Sequence, residues 1–252
     1  PASLTKIMTS YVVFEALKTG KLTLDQKITM SELATQQPPS KIGLPVGGEL
    51  TVENALKILI IKSANDVAIM LAEAAAGTQE AFVERMNLTA RRLGMTRTQF
   101  VNANGLPAPE QVTTAHDLAR LSRAVIRDYP EYASWWAMYD LKLGNRHVVT
   151  HNQLLKTFEG ADGLKTGFIC DSGYNVVASA TRDGRRLMAV ILGETTGGER
   201  NLRAASLLEH GFQQYGWKQL FNSQTIDNMG IAADAKPITK MQETVISWEC
   251  GA

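Results

Sequence analysis

Apolar residues at Leu4, Ile7, Met8, Tyr11 and Val12 recur at i, i+3, i+4, i+7 and i+8. That spacing lines one face of an α-helix, and Gly20 offers it a stop. Thr51 stands where an N-cap would, with Glu53 in the first turn, and Val52, Ala55, Leu56, Leu59 and Ile60 carry a second helical stripe. The stripe breaks at Lys62-Ser63-Ala64-Asn65 and resumes from about Asp66 through Val67, Met70, Leu71 and Ala74 to Gly77. Two helices with a non-helical junction are predicted there. Thr78 opens another (Phe82, Met86, Ala90, Leu93), stopped by Gly94. Thr114 with Asp117 opens a further one (Leu118, Leu121, Val125), ending before Pro130. Residues 21–50 carry Pro38-Pro39, Pro45 and Gly47-Gly48 and read as loops and short extended pieces. Asn104-Gly105 and Pro107-Ala108-Pro109 mark a second loop.

The last third changes period. Asp162-Gly163 leads into Leu164–Phe168, and Tyr174–Thr181 is rich in Val and Ala. Asp183-Gly184 is a hairpin turn before the apolar run Arg186–Leu192. Three strands joined by short turns predict an antiparallel sheet. A helix bearing Leu202, Ala205 and Leu208 and ending at His210-Gly211 should pack on it. Beyond about Phe221 the pattern fades. The expected organisation is therefore one domain over 1–221 and a tail or linker over 222–252, of a composition that suits a poorly ordered end.

Bulk properties change this picture little. A chain of 252 residues, 44% hydrophobic and 20% charged, with a formal net charge of +1, is ordinary for a globular protein. Nothing in it suggests nucleic acid or a polybasic membrane patch. The aliphatic run Leu59-Ile60-Ile61 is far too short to span a bilayer. Cys170 and Cys250 make no zinc pattern and the four histidines are scattered, so no metal or other cofactor is expected. The two cysteines read as free thiols; a disulfide joining the tail to the core would need an oxidising compartment.

The candidate chemistry lies in three short motifs: Ser3-Leu4-Thr5-Lys6, Ser63-Ala64-Asn65 and Lys165-Thr166-Gly167. A serine hydroxyl is a poor nucleophile until a base takes its proton. Lysine serves as that base only when burial, or a second cation such as Lys165, disfavours its charged form. Lys6 is one helical turn from Ser3 and borders the Ile7 stripe, so the pair faces the core side. Ser63 can pass a proton to a leaving group, and Asn65 offers an amide to a substrate carbonyl or to Lys6. Ser63 and Asn65 share a side only in an extended connection, which the junction supplies. Lys165 and Thr166 bring a cation and a hydroxyl for a carboxylate, and Gly167 lets a substrate backbone come close to the strand. Each motif alone has an ordinary reading: a chance pair, a helix cap, a turn. In this order, on helix, junction and strand, they form the set shared by class A β-lactamases and penicillin-binding proteins.

With Asp162-Gly163-Leu164-Lys165-Thr166-Gly167, Gly173-Tyr174-Asn175-Val176-Val177-Ala178-Ser179-Ala180-Thr181, Gly198-Glu199-Arg200 and Leu207-Leu208-Glu209-His210-Gly211-Phe212, the chain resembles a low-molecular-mass penicillin-binding protein of the D-alanyl-D-alanine carboxypeptidase type over roughly residues 1–215. The resemblance implies an α+β, β-lactamase/transpeptidase-like fold, with an antiparallel sheet flanked by helices and an all-helical subdomain. It implies a serine acyl-enzyme that removes the terminal D-alanine of peptidoglycan stem pentapeptides, periplasmic or otherwise extracytoplasmic, with β-lactams as covalent inhibitors. By motif match Ser3 is the nucleophile, Lys6 its base, and Ser63 and Asn65 the second element. Lys165, Thr166 and Arg200 hold the terminal carboxylate, and the N–H groups of Ser3 and Phe168 form the oxyanion hole.

Three departures accompany the resemblance. The strands and helix that precede the nucleophile in family members are absent from this chain, so processing or truncation upstream is expected. Phe168 stands where some relatives have histidine. The tail resembles neither an all-β second domain nor a basic amphipathic anchor, so membrane association is not supported. A class A β-lactamase would need a deacylating glutamate between the second and third motifs, and Glu110, the candidate, has the wrong context. A DD-endopeptidase shares nearly every feature, and a penicillin-acylated sensor without turnover is the non-enzyme alternative.

Overall fold

The structure, a computed structural model, describes residues 1–218 and Ile226, so the expected tail lies, Ile226 apart, outside the described residues. The chain begins with a 3-10 turn, Ala2–Leu4, running straight into helix α1, Thr5–Lys18. Strand β1 (Lys27–Thr29), helix α2 (Glu32–Thr35) and strand β2 (Glu49–Thr51) follow, β1 pairing antiparallel with β2. Helices α3 (Val52–Ile61), α4 (Asn65–Ala76), α5 (Gln79–Arg92) and α6 (Ala115–Asp128) come next. The Oγ1 atoms of Thr51, Thr78 and Thr114 accept the N–H groups of Asn54, Ala81 and Asp117, so three of these starts are capped as their sequences predict. A 3-10 turn (Pro130–Tyr132), α7 (Ala133–Trp136), the hairpin β3 (Asp140–Leu143)–β4 (Arg146–Val149) and α8 (Leu154–Thr157) are too short to announce themselves by periodicity. Strands β5 (Ala161–Ile169), β6 (Gly173–Arg182) and β7 (Arg185–Glu194) form an antiparallel sheet in sequence order, and α9 (Gly197–Lys218) follows.

The α+β class and the antiparallel sheet are as expected, and three particulars differ. Helix α1 does not bury one stripe alone: Thr5, Lys6, Thr9 and Ser10 are as buried as Ile7 and Met8. The reason is that α3, α4, α5 and α6 all pack on it, which makes it the central rod of the helical layer. Helix α9 runs through His210-Gly211 to Lys218, and it buries Ala204 and Leu208 while Leu202 and Leu207 face out. Of the predicted stripe, Leu208 is buried and Ala205 packs half-buried against the same cluster, so Leu202 alone departs from it. Cys170 is disulfide-bonded, which overturns its reading as a free thiol; Cys250 lies outside the described residues.

The core divides at the sheet. On one side Val176, Ala178 and Ala180 of β6 pack with Ala204 and Leu208 of α9. On the other, Leu164 and Val177 join the large cluster of the helical layer. This is the two-residue alternation of a strand buried on both faces. The 3-10 turn at the head of α1 lies against β5, one of the two edge strands of this sheet, so Ser3 stands at a join between the helical layer and the sheet.

Candidate functional site

The join is close enough to dictate residue size. A Cβ placed on Gly167 would lie 2.9 Å from the Ser3 nitrogen and 3.1 Å from that of Leu4. The expected close approach at Gly167 is therefore made by the protein's own turn. A Cβ on Gly105 (φ +85°) would lie 1.9 Å from the Ala2 carbonyl oxygen. Two glycines thus let two chain segments close on the turn that carries Ser3.

Lys6 is 1% exposed. Its Nζ is 2.9 Å from Ser3 Oγ and 2.8 Å from Asn65 Oδ1, and it also bonds the Asn104 carbonyl oxygen. The last two are pure acceptors, whereas a hydroxyl both donates and accepts. A neutral amine has two N–H donors and one lone pair. Donating to Asn65 and Asn104 leaves that lone pair directed at the Ser3 hydroxyl. The electrostatics favour this form. Burial, and then the nearby Lys165, hold Lys6 well below the ordinary lysine range, with Asp66 opposing.

Ser63 lies in the α3–α4 junction in a left-handed conformation, φ +62°. That is an unusual state for a non-glycine residue and one typical of functional sites. Its buried hydroxyl has no hydrogen-bond partner among the described residues. Asn65 opens α4; its Nδ2 donates to the carbonyls of Pro38 and Pro39, which aims its Oδ1 at Lys6. Lys165 is buried in β5 and donates to the Thr166 carbonyl oxygen at 3.0 Å; burial, and then Arg200, lower it to about 7. Arg200 is 6% exposed, bonds Asn201 Oδ1 and has its guanidinium 5.9 Å from the Tyr174 ring centre. Burial lowers it to about 10. No carboxylate among the described residues pairs with it, and Glu199 is taken by Thr195 and Thr196. The Phe168 ring packs on Tyr174, centroids 4.3 Å apart.

Ser3, Ser63, Asn65, Thr166, Gly167, Phe168 and Arg200 line one cleft of about 470 Å³, with Lys6 and Lys165 buried behind it. All nine residues singled out in the sequence thus fall at one place. The cleft is also lined by Pro39, Ser40, Gly105, Leu106, His151, Ile169 and Tyr174, which the sequence did not single out. Asn104 was missed as well, because it acts through its carbonyl oxygen, a group every residue has. The Asn-Gly turn beside it was the available signal. None of the described lining residues is acidic. Glu110 is exposed and does not line the cleft. Such a site can activate a hydroxyl, receive an anion and shelter an acyl group. Among the described residues no helix is long and apolar enough to cross a membrane.

A family profile described as D-alanyl-D-alanine carboxypeptidase matches residues 1–196. D-alanyl-D-alanine carboxypeptidase DacC of Escherichia coli is 41% identical over 220 residues, 84% of this chain and 55% of that protein. Among solved structures, D-alanyl-D-alanine carboxypeptidase DacD of Francisella tularensis superposes with a TM-score of 0.81 at 34% identity, covering 84% of this chain and 64% of that one. Penicillin-binding protein D2 of Listeria monocytogenes, in its cefotaxime-bound form, gives 0.76 at 31%, covering 84% and 87%. The chain spans between 55% and 59% of the length of the first curated relatives it matches.

Proposed function

This chain belongs to the D-alanyl-D-alanine carboxypeptidase family, and on that premise we propose that residues 1–221 form a serine-type D-Ala-D-Ala carboxypeptidase domain acting on peptidoglycan stem pentapeptides outside the cytoplasm. The observation that carries the reading is the Lys6 amine, buried, 2.9 Å from Ser3 Oγ and held by two pure acceptors. Ser3 Oγ attacks the carbonyl carbon of the penultimate D-alanine as Lys6 takes its proton. The carbonyl oxygen becomes an oxyanion facing the N–H groups of Ser3 and Phe168. The C–N bond then breaks, and the leaving D-alanine amine receives a proton through Ser63, whose unpartnered hydroxyl is free to relay it. Water attacks the acyl-enzyme and Lys6 again accepts a proton, which regenerates Ser3.

Lys165, Thr166 and Arg200 hold the terminal carboxylate. An arginine already desolvated and without an acidic partner among the described residues gains most from such an anion. A β-lactam, carrying a carboxylate beside a strained amide, would acylate Ser3 by the same route. The test is a paired assay of D-alanine release from diacetyl-Lys-D-Ala-D-Ala and covalent labelling by a fluorescent penicillin. Ser3→Ala should abolish both, and labelling that persists at another serine would refute the assignment.

A further inference from the structure

Asp66 is a carboxylate buried to 1% exposure, and no cation among the described residues pairs with it within salt-bridge distance. A buried charge left that way is costly unless hydrogen bonds hold it. Its donors are all backbone amides: Ile42 N at 3.1 Å and Val67 N at 2.9 Å on Oδ1, and Gly43 N at 2.8 Å on Oδ2. Two of the three come from a segment without regular secondary structure, residues 37–48. That segment places Pro39 and Ser40 on the cleft wall. It is tied to the α3–α4 junction at each step. The Ser40 carbonyl oxygen accepts Asn65 N at 2.7 Å, and Ser40 Oγ donates to the Lys62 carbonyl oxygen at 3.0 Å. Arg146, on the exposed β3–β4 hairpin, holds the Ile42 carbonyl oxygen from outside.

We propose that Asp66 is a positioning residue for acylation, fastening the Pro39–Ser40 wall to the junction that carries Ser63 and Asn65. The inference rests on the acyl-enzyme reading above. Helix geometry alone would account for an aspartate in the first turn of α4, but not for a side chain that caps two successive amides of another segment. Asparagine could not replace it, because one of its two positions would be an NH2 facing a donor. The same charge also faces the base. Lys6 meets Lys165 from β5 and Asp66 from α4, its other partners Ser3, Asn65 and Asn104 being neutral, and Asp66 pulls against the lowering caused by burial and Lys165.

The test follows hydrogen exchange together with penicillin acylation of Ser3. In the parent, the Ile42 and Gly43 amides should exchange as slowly as helical amides. Free exchange there overturns the proposal with no variant needed. In Asp66→Asn those amides should lose protection, the acylation rate constant should fall on the order of 10-fold, and its acid limb should move to lower pH, because Lys6 has lost an anionic neighbour. Arg146→Ala, a surface change, should lower the rate by a smaller factor and leave the limb in place. Parental rates in Asp66→Asn, or a slower variant whose acid limb does not move, would mark Asp66 as an ordinary core carboxylate. A parent that no penicillin acylates at Ser3 would refute the acyl-enzyme reading, and the exchange measurement would still decide the mooring.

Discussion

Gly167→Ala is the sharpest single perturbation of the join between sheet and helical layer. The added methyl would stand 2.9 Å from the Ser3 nitrogen, 3.1 Å from Leu4 N and 3.2 Å from Ala2 Cβ, whereas ordinary contact begins at 3.4 Å. The first two neighbours are backbone, so the turn itself must retreat by about 0.5 Å. A misplacement of about 1 Å at reacting groups costs roughly 10²-fold in rate, so half of that should cost roughly 10-fold. Overpacking should also destabilise by about 1–3 kcal/mol, a melting-temperature fall of roughly 2–12 °C for a domain of this size. The assay is the second-order rate constant for penicillin acylation, measured beside a thermal melt. Gly184→Ala is the control: it lies in the β6–β7 turn at φ +73° with open space around it, so alanine there should cost about 1–2 kcal/mol from backbone conformation and leave acylation unchanged. Parental acylation in Gly167→Ala, or an equal loss in Gly184→Ala, would refute the claim that the approach of β5 to Ser3 sets the nucleophile's position.

Four further outcomes are expected. Lys6→Arg keeps a cation but cannot offer a lone pair, and acylation should fall on the order of 10²-fold or more by stopped-flow fluorescence; near-normal acylation would assign the base elsewhere. Lys165 is lowered from 10.5 to about 7 in the fold, so between those values the unfolded chain binds the additional proton and stability should rise with pH. Lys6, shifted the same way, adds to this; a melting temperature that climbs from pH 7 to pH 10 in the parent and climbs less steeply in Lys165→Met, where Lys6 alone remains, is the expected record, and a flat parent would contradict it. Arg200→Ala should lower kcat/KM for a free-carboxylate peptide by on the order of 10-fold, the worth of a charged hydrogen bond of about 1.5–3 kcal/mol, and matter much less for a thioester without that carboxylate; equal losses would make Arg200 a support of the fold. With Glu110 exposed and away from the cleft, the penicilloyl adduct should last minutes or longer by mass spectrometry, whereas turnover of many molecules per second would speak for a β-lactamase.

What could be read from the sequence was what local rules govern. Thr51, Thr78 and Thr114 cap because short polar side chains reach a free amide wherever a helix starts, whatever lies around it. Asp183-Gly184 turns because both residues adopt positive φ, 50° and 73°, as a two-residue hairpin demands. Ser3, Lys6, Ser63, Asn65, Lys165 and Thr166 were legible because side-chain chemistry announces itself by type, and Gly167 by the lack of a side chain, whereas Phe168 and Arg200 were reached only through the family resemblance. What was not legible depended on neighbours far along the chain. The burial of Thr9 and Ser10 follows from four helices closing round α1, and no window of local sequence contains them. The Asn104 carbonyl and the Pro39–Ser40 wall are backbone features of irregular segments, where periodicity has nothing to measure. Leu202 was misplaced because an apolar residue in the early turns of a helix need not face the sheet, whereas Ala205 and Leu208 pack toward it as their spacing predicts.

The Lys6 amine draws its partners from positions 59 and 98 residues away in the chain. Contacts of such separation close late, since the entropy of ordering the intervening loops must first be overcome. Until the junction and the Asn-Gly turn have both arrived, Lys6 is an ordinary solvated ammonium and Ser3 an ordinary alcohol. A nascent or partly folded chain therefore carries no reactive hydroxyl. On the acyl-enzyme reading proposed above, the chain would stay chemically silent until it has folded, and covalent labelling by penicillin would count the molecules that have finished folding.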